Sequence, residues 1–147
     1  MPVGRRTVLR TAALLAAPVP GEALAATPSP ADARLYIIWP VEGQRIRSPF
    51  TVRFGLRNMG VTQAGNAAPN AGHHHLLIDA NEPLDREAPI PADHKHVHFG
   101  RGQTETDLDL PPGVHTLQLV LGDAEHRPFE PPVVSRKIRI VVVKGHG

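Results

Sequence analysis

The chain has 147 residues, nine of them histidine and none cysteine, with 16 lysines and arginines against 14 acids. That length fits one domain, and the lack of cysteine removes disulfides, thiolate ligands and thiol nucleophiles. Mixed charge with few aromatics argues against a nucleic-acid binder, and no basic amphipathic helix is present to hold a membrane surface.

Residues 1–25 read as an export signal. Arg5 and Arg6 form a positive start, Val8 to Val19 a short apolar stretch, and Ala23-Leu24-Ala25 a small-x-small cleavage site. The apolar stretch falls short of the about 20 residues a spanning helix needs. The run Gly4-Arg5-Arg6-Thr7-Val8-Leu9-Arg10 looks like a twin-arginine signal, an address that implies passage to the periplasm or beyond. Cleavage after Ala25 removes Arg5, Arg6, Arg10 and Glu22, leaving a domain with equal numbers of acids and bases. No membrane association is expected after cleavage.

Residues 26–34 carry Pro28 and Pro30 and are expected to be a flexible linker. From Leu35 the pattern has period two, ending at Pro40. Phe50, Val52, Phe54 and Leu56 then alternate with Thr51, Arg53, Gly55 and Arg57, as in a strand with one buried face. Residues 58–72 read as a Gly-, Asn- and Ala-rich loop, His73 to Ala80 as a strand, and 81–93 as a proline-bearing loop. Short extended segments follow at 94–99 and 104–110, then a hairpin through Pro111-Pro112-Gly113 into Val114 to Leu121. After a loop at 123–132, Ile138, Ile140 and Val142 close a domain spanning 35–143, with a tail at 144–147. The expected class is all-β: an immunoglobulin-like β-sandwich of about seven strands.

Eight histidines fall between His73 and His126. Imidazole is a common neutral metal ligand that suits copper, zinc, nickel and iron. On a strand, a spacing of two puts rings on one face, so His73 and His75 point the same way, as do His94, His96 and His98. His74 shares the face of Leu76 and Ile78, and His115 that of Leu117 and Leu119. Both are therefore expected at the core edge, hydrogen-bonded to backbone. His94 and His146 are expected in solvent. Asp79 and Asp123 are either oxygen donors that orient a ring or caps of turns, and the turn role is favoured. No serine lies in a nucleophile-elbow context, which argues against triad hydrolysis.

The runs Gly72-His73-His74-His75-Leu76-Leu77-Ile78-Asp79, His98-Phe99-Gly100-Arg101-Gly102-Gln103-Thr104-Glu105-Thr106, Pro111-Pro112-Gly113-Val114-His115-Thr116-Leu117-Gln118-Leu119 and Leu121-Gly122-Asp123 resemble bacterial periplasmic domains grouped as domain of unknown function 4399. The resemblance implies an exported domain and supplies no activity. It marks His73, His74, His75, His98, Gln103, Thr104, Glu105, His115, Asp123 and His126, and leaves His94 and His96 outside the runs. Phe129 stands where relatives often show a histidine.

Together these readings point first to a metal-binding domain, copper before zinc, with His73, His75, His98 and His126 as ligands. His74, Asp79, His96, Gln103, Thr104, Glu105, His115 and Asp123 are expected to support the ligands or bind nearby. A second reading is a non-catalytic module whose histidine-rich edge binds a periplasmic protein or glycan. A third is a metal-dependent enzyme.

Overall fold

A computed structural model describes residues 25–145, so the expected signal peptide, save its last residue, and His146 lie outside the described residues. Nine strands occur among them: β1 Arg34–Trp39, β2 Arg45–Arg47, β3 Phe50–Arg57, β4 Gly60–Val61, β5 Ala71–Ile78, β6 His96–His98, β7 Glu105–Leu108, β8 Gly113–Gly122 and β9 Ile138–Val143. No helix among the described residues is long and apolar enough to cross a membrane.

The strands form two sheets. One has the order β1-β3-β7; the other has the order β2-β9-β8-β5-β4, with β6 also paired to β5. Alternation explains the first sheet: Phe50, Val52 and Phe54 of β3 are buried, while Arg53 and Arg57 are exposed. Their inward side chains meet Leu76, Ile78, Leu117, Leu119, Leu121, Ile140 and Val142 of the second sheet in one apolar core. The result is an all-β, sandwich-like fold that is not specifically immunoglobulin-like. The two strands beyond the expected seven are β2 and β4. At three and two residues they carry no readable alternation, and they join as parallel partners of β9 and β5.

The strand that matters most breaks the alternation. Every residue of β5 from Gly72 to Ile78 is buried. One face, with Leu76 and Ile78, belongs to the main core. On the other, Leu77 packs with Ala80, Ile90 and Val120, against Leu84 and Val134, beneath the loop that follows β5. A strand covered on both sides reads as a continuous apolar run, and here three of its positions are histidine.

The segment expected as a flexible linker is instead tied down at its start. Pro28 bridges Glu130 in parallel; Ser29 N–H donates to the Glu130 carbonyl at 3.0 Å, and Glu130 N–H to the Thr27 carbonyl at 2.9 Å. The prolines limit the ladder without preventing it, since the donors used belong to Ser29 and Glu130.

The core makes one demand that can be measured. Leu119 is fully buried between the sheets, so Leu119→Ala is expected to cost about 2–5 kcal/mol. A urea-unfolding midpoint that does not move would contradict the two-sheet packing.

Candidate metal centre

Register brings the histidines together. β5 and β6 run antiparallel with His75 opposite His98, and His73 lies two residues along β5 on the same face. On the other side of β5, His73 stands opposite Gly122 of β8. The chain then reverses through 123–127 and returns His126 to the cluster. Ring centroids lie 4.8 Å apart for His73 and His75, 5.0 Å for His73 and His98, 4.9 Å for His73 and His126, 5.1 Å for His75 and His98, and 4.8 Å for His98 and His126. His75 and His126 are farther apart, at 6.1 Å. The Nε2 atoms of His73 and His75 are 3.0 Å apart. One ring nitrogen from each of His73, His98 and His126 lies within 4.8 Å of the others. His73 and His75 are fully buried, while His98 and His126 are half-buried.

Two glycines make room for the rings. A Cβ at Gly122 would stand 2.8 Å from His75 Nε2 and 3.5 Å from His73 Cε1, and one at Gly100 would collide with His98 Cε1. Sequence reasoning did not single them out as part of the site. Their place directly after a strand, in Leu-Gly-Asp and His-Phe-Gly, was the available signal.

Asp123 shapes the turn that carries His126. Its Oδ1 accepts from the N–H groups of Glu125 at 3.0 Å and Arg127 at 2.9 Å, and its Oδ2 accepts from Thr27 Oγ1 at 2.7 Å. Its carbonyl takes the His126 N–H at 3.0 Å, and His126 sits in the left-handed region with φ 66°. This is a capping role: the carboxylate holds the loop of His126 and has no hydrogen bond to a cluster ring among the described residues. The loop after β4 is hung over the same end, with Ala64 N–H on the Gly100 carbonyl and Gly65 N–H on the Ala124 carbonyl.

Burial favours the neutral form of His73, His75 and His98. It lowers the pKa of His73 to about 4, helped by the neighbouring His126 and His98 and opposed by Asp123. Burial likewise takes His75 to about 3, with His73, His98 and His126 adding to the effect. His98 is lowered by burial and by His126. Neutral imidazole is the form that binds a metal. Nδ1 of His73, Nδ1 of His75 and Nε2 of His98 are buried without hydrogen-bond partners, a condition that costs about 1–3 kcal/mol for each group. Bonds of about 2.0–2.1 Å place nitrogens on one ion roughly 3–4 Å apart, so the trio would close by about 1 Å to share an ion. All three donors are imidazole nitrogens, a set that can hold a transition-metal ion.

The other expected residues divide. His74 is buried on the core side, its ring 5.0 Å from that of Phe54. The expected backbone hydrogen bond is absent: neither ring nitrogen has a partner. Burial lowers its pKa to about 4, with a smaller opposing effect from the Gln103 backbone, which lies close but outside hydrogen-bond geometry. His115 is held at the far end of β5, with Nδ1 2.7 Å from Asp79 Oδ2 and Nε2 2.7 Å from the Pro111 carbonyl. Burial works to lower its pKa, but the Asp79 and Pro111 hydrogen bonds and the Asp79 charge outweigh it and the net shift is upward. Asp79 thus orients His115 rather than a cluster ring, because its φ of 52° turns the chain at the strand end. It also accepts the Thr116 N–H.

His96 shares the outer face of β6 but is taken by Asp93, Nδ1 to Oδ1 2.8 Å. His94 is exposed. Gln103 Oε1 accepts the Arg101 N–H within its own loop, the Thr104 carbonyl takes the Phe54 N–H, and Glu105 pairs with Arg53 at 3.5 Å on the exposed face of the smaller sheet. None of these three has a hydrogen bond or ion pair to the four-ring cluster among the described residues. Phe129 is buried in the main core, so its position is filled by packing.

The lowered pKa values make metal-free stability depend on pH. Between pH 6.5 and about 4 the unfolded chain binds protons on these rings and the folded chain does not, so stability falls as pH falls. One such ring removes about 2 kcal/mol by pH 5, which lowers Tm by roughly 10 °C. His115 acts in the opposite sense: its raised pKa gives stability below pH 6.5 that is lost on raising the pH through its folded value. Unfolding midpoints at pH 7, 6 and 5 test the balance. His75→Gln is expected to flatten the fall, and identical profiles for parent and variant would contradict it.

No curated protein matches the chain. Among solved structures, the X-ray structure of the endo-beta-1,4-mannanase from Thermotoga petrophila is similar, with 20% identity and a TM-score of 0.45. The match covers 78% of this chain and 20% of that one, so the chain spans about a fifth of its length. Residues 52–143 match the family described as Domain of unknown function (DUF4399), and the chain belongs to that family.

Proposed function

We propose that this is an exported, periplasmic metal-binding domain that takes one transition-metal ion, copper first and zinc second, for metal handling or storage. The observation that carries the reading is the convergence of His73, His75, His98 and His126 with buried ring nitrogens left without partners. An ion held through the Nε2 atoms of His73 and His75 would replace their mutual hydrogen bond, and of the unpartnered nitrogens only His98 Nε2 remains to join it. Copper ranks first because it heads the divalent affinity order for nitrogen donors. The 3.0 Å between the Nε2 atoms of His73 and His75 is also the span of two nitrogens about 90° apart on one ion at bonds of about 2.05 Å, an angle that suits tetragonal Cu(II).

Burial weighs against the histidine edge as a recognition surface, since His73 and His75 offer no surface to a partner. Export rests on the amino-terminal signal, and a neutral, partly buried imidazole site without cysteine would tolerate an oxidising compartment. The chain's own contribution to binding is to favour the neutral form of His73, His75 and His98 and to hold the rings together before the ion arrives, which reduces the ordering cost of coordination.

Titration of the metal-free protein with Cu(II) and Zn(II) is expected to show one ion per chain and a rise in Tm, because the folded state alone presents the site. His98→Ala removes one donor and is expected to weaken binding by at least tenfold. Gly122→Ala leaves every ligand in place but puts a methyl against His75 Nε2, and is expected to weaken binding comparably. Binding no tighter than micromolar in the parent, or unaffected by both variants, would refute the proposal.

A further inference from the structure

A second feature lies on the opposite sheet and does not depend on the metal reading. β1 is the outer strand of the three-stranded sheet. One edge pairs with β3, and no backbone hydrogen bond joins residues 34–39 to any other segment among the described residues. A free edge of this kind is a template for another strand. Beside it lies a groove of about 620 Å³, lined also by Val134, Arg136 and Ile138 of the segment leading into β9 and by Pro40 and Val41 just after β1. Core-facing Leu35 and Ile37 line it together with outward-facing Arg34 and Tyr36. A cavity bounded by both faces of a strand lies along its edge, where an added strand would sit.

The groove's chemistry is apolar with a positive bias. Of the six large apolar side chains exposed among the described residues, Tyr36 and Val41 line the groove, and Ile38 and Trp39 lie between them in the chain, on β1, without lining it. Such clustering marks a contact surface more than scattered exposure does. Arg34 and Arg136 have no carboxylate partner among the described residues. The Arg34 guanidinium donates only to the carbonyls of Ala33 and Ala31. Glu42, the one acid in the lining, accepts the Arg139 N–H. Arg57, 5.5 Å over the Tyr36 ring, extends the positive rim.

We infer that β1 receives an extended peptide of alternating apolar and acidic residues by strand addition. Its backbone pairs with residues 34–37, its apolar side chains enter beside Ile37 and Ile138, and its carboxylates face Arg34 and Arg136. Main-chain pairing supplies affinity and the alternate side chains supply selectivity. The register irregularity between Ile37 and Trp39, followed by Pro40, ends the template. The chain's own first 24 residues are a poor occupant: they carry Arg5, Arg6 and Arg10 against a single acid, Glu22.

The test uses the whole protein, isotope-labelled for NMR, with two acetylated octapeptides, alternating Val-Glu and alternating Val-Lys. The Val-Glu peptide is expected to bind at least tenfold tighter and to slow amide exchange at residues 34–37. In the Arg34→Glu, Arg136→Glu variant the preference is expected to reverse, and in Arg136→Gln alone to shrink several-fold. Equal binding of the two peptides, saturable binding without protection of β1 amides, or no binding at millimolar peptide would overturn the inference. So would a dimer joined through β1 that the peptide does not dissociate, since the edge would then serve a second copy. Binding of polygalacturonate without β1 amide protection, in place of the peptide, would assign the positive rim to an acidic glycan and equally overturn it.

Discussion

The structure turns on a strand buried on both sides that carries imidazoles instead of hydrocarbons. Burying a polar ring is costly unless its nitrogens find partners, and His73 and His75 find chiefly each other, 3.0 Å apart. In such a contact one ring must donate N–H and the other accept, so the accepting ring is neutral, and burial disfavours a charge on either. The rest of the centre follows from that constraint. His98 is brought in by register, His126 by a turn, and Gly122 and Gly100 vacate the space that the rings require.

The two ends of β5 handle histidine in opposite ways. At Asp79, a carboxylate and the Pro111 carbonyl both accept from His115, which calls for a proton on each ring nitrogen and favours the charged form. At His73 and His75 the neighbours are other imidazoles, and charge is excluded. The same residue type is therefore drawn toward the charged form at one end and toward the neutral form at the other. The difference lies in whether an acceptor or another ring is within reach.

Much of this was legible in the sequence, and the exceptions have physical reasons. Period-two alternation located β1, β3, β8 and β9, and a spacing of two grouped His73 with His75. What alternation could not show was that the outer face of β5 is covered as well, because that depends on the loop at 81–93 folding back through Ile90 and Leu84. Nor could it show that His96, on the same face as His98, is captured by its local neighbour Asp93. The assignment of Gln103, Thr104 and Glu105 to the site's surroundings came from motif proximity. In space Thr104 and Glu105 follow the chain to the other sheet, while the Gln103 side chain stays within its own loop. Thr27 was hidden for a related reason: its partner Asp123 is 96 positions away, a separation no local pattern reports.

That last contact has a bearing on how the protein comes into being. The turn presenting His126 is fastened by Thr27, and the same strap is locked by Glu130. Closing so large a loop is entropically late, since the two ends meet only after the intervening strands have condensed. A chain emerging from the ribosome has the histidines of β5 and β6 well before it has the means to hold the fourth. The fully fastened site is thus a product of late folding, and its completion reports that the amino-terminal strap has found its place against the segment between β8 and β9.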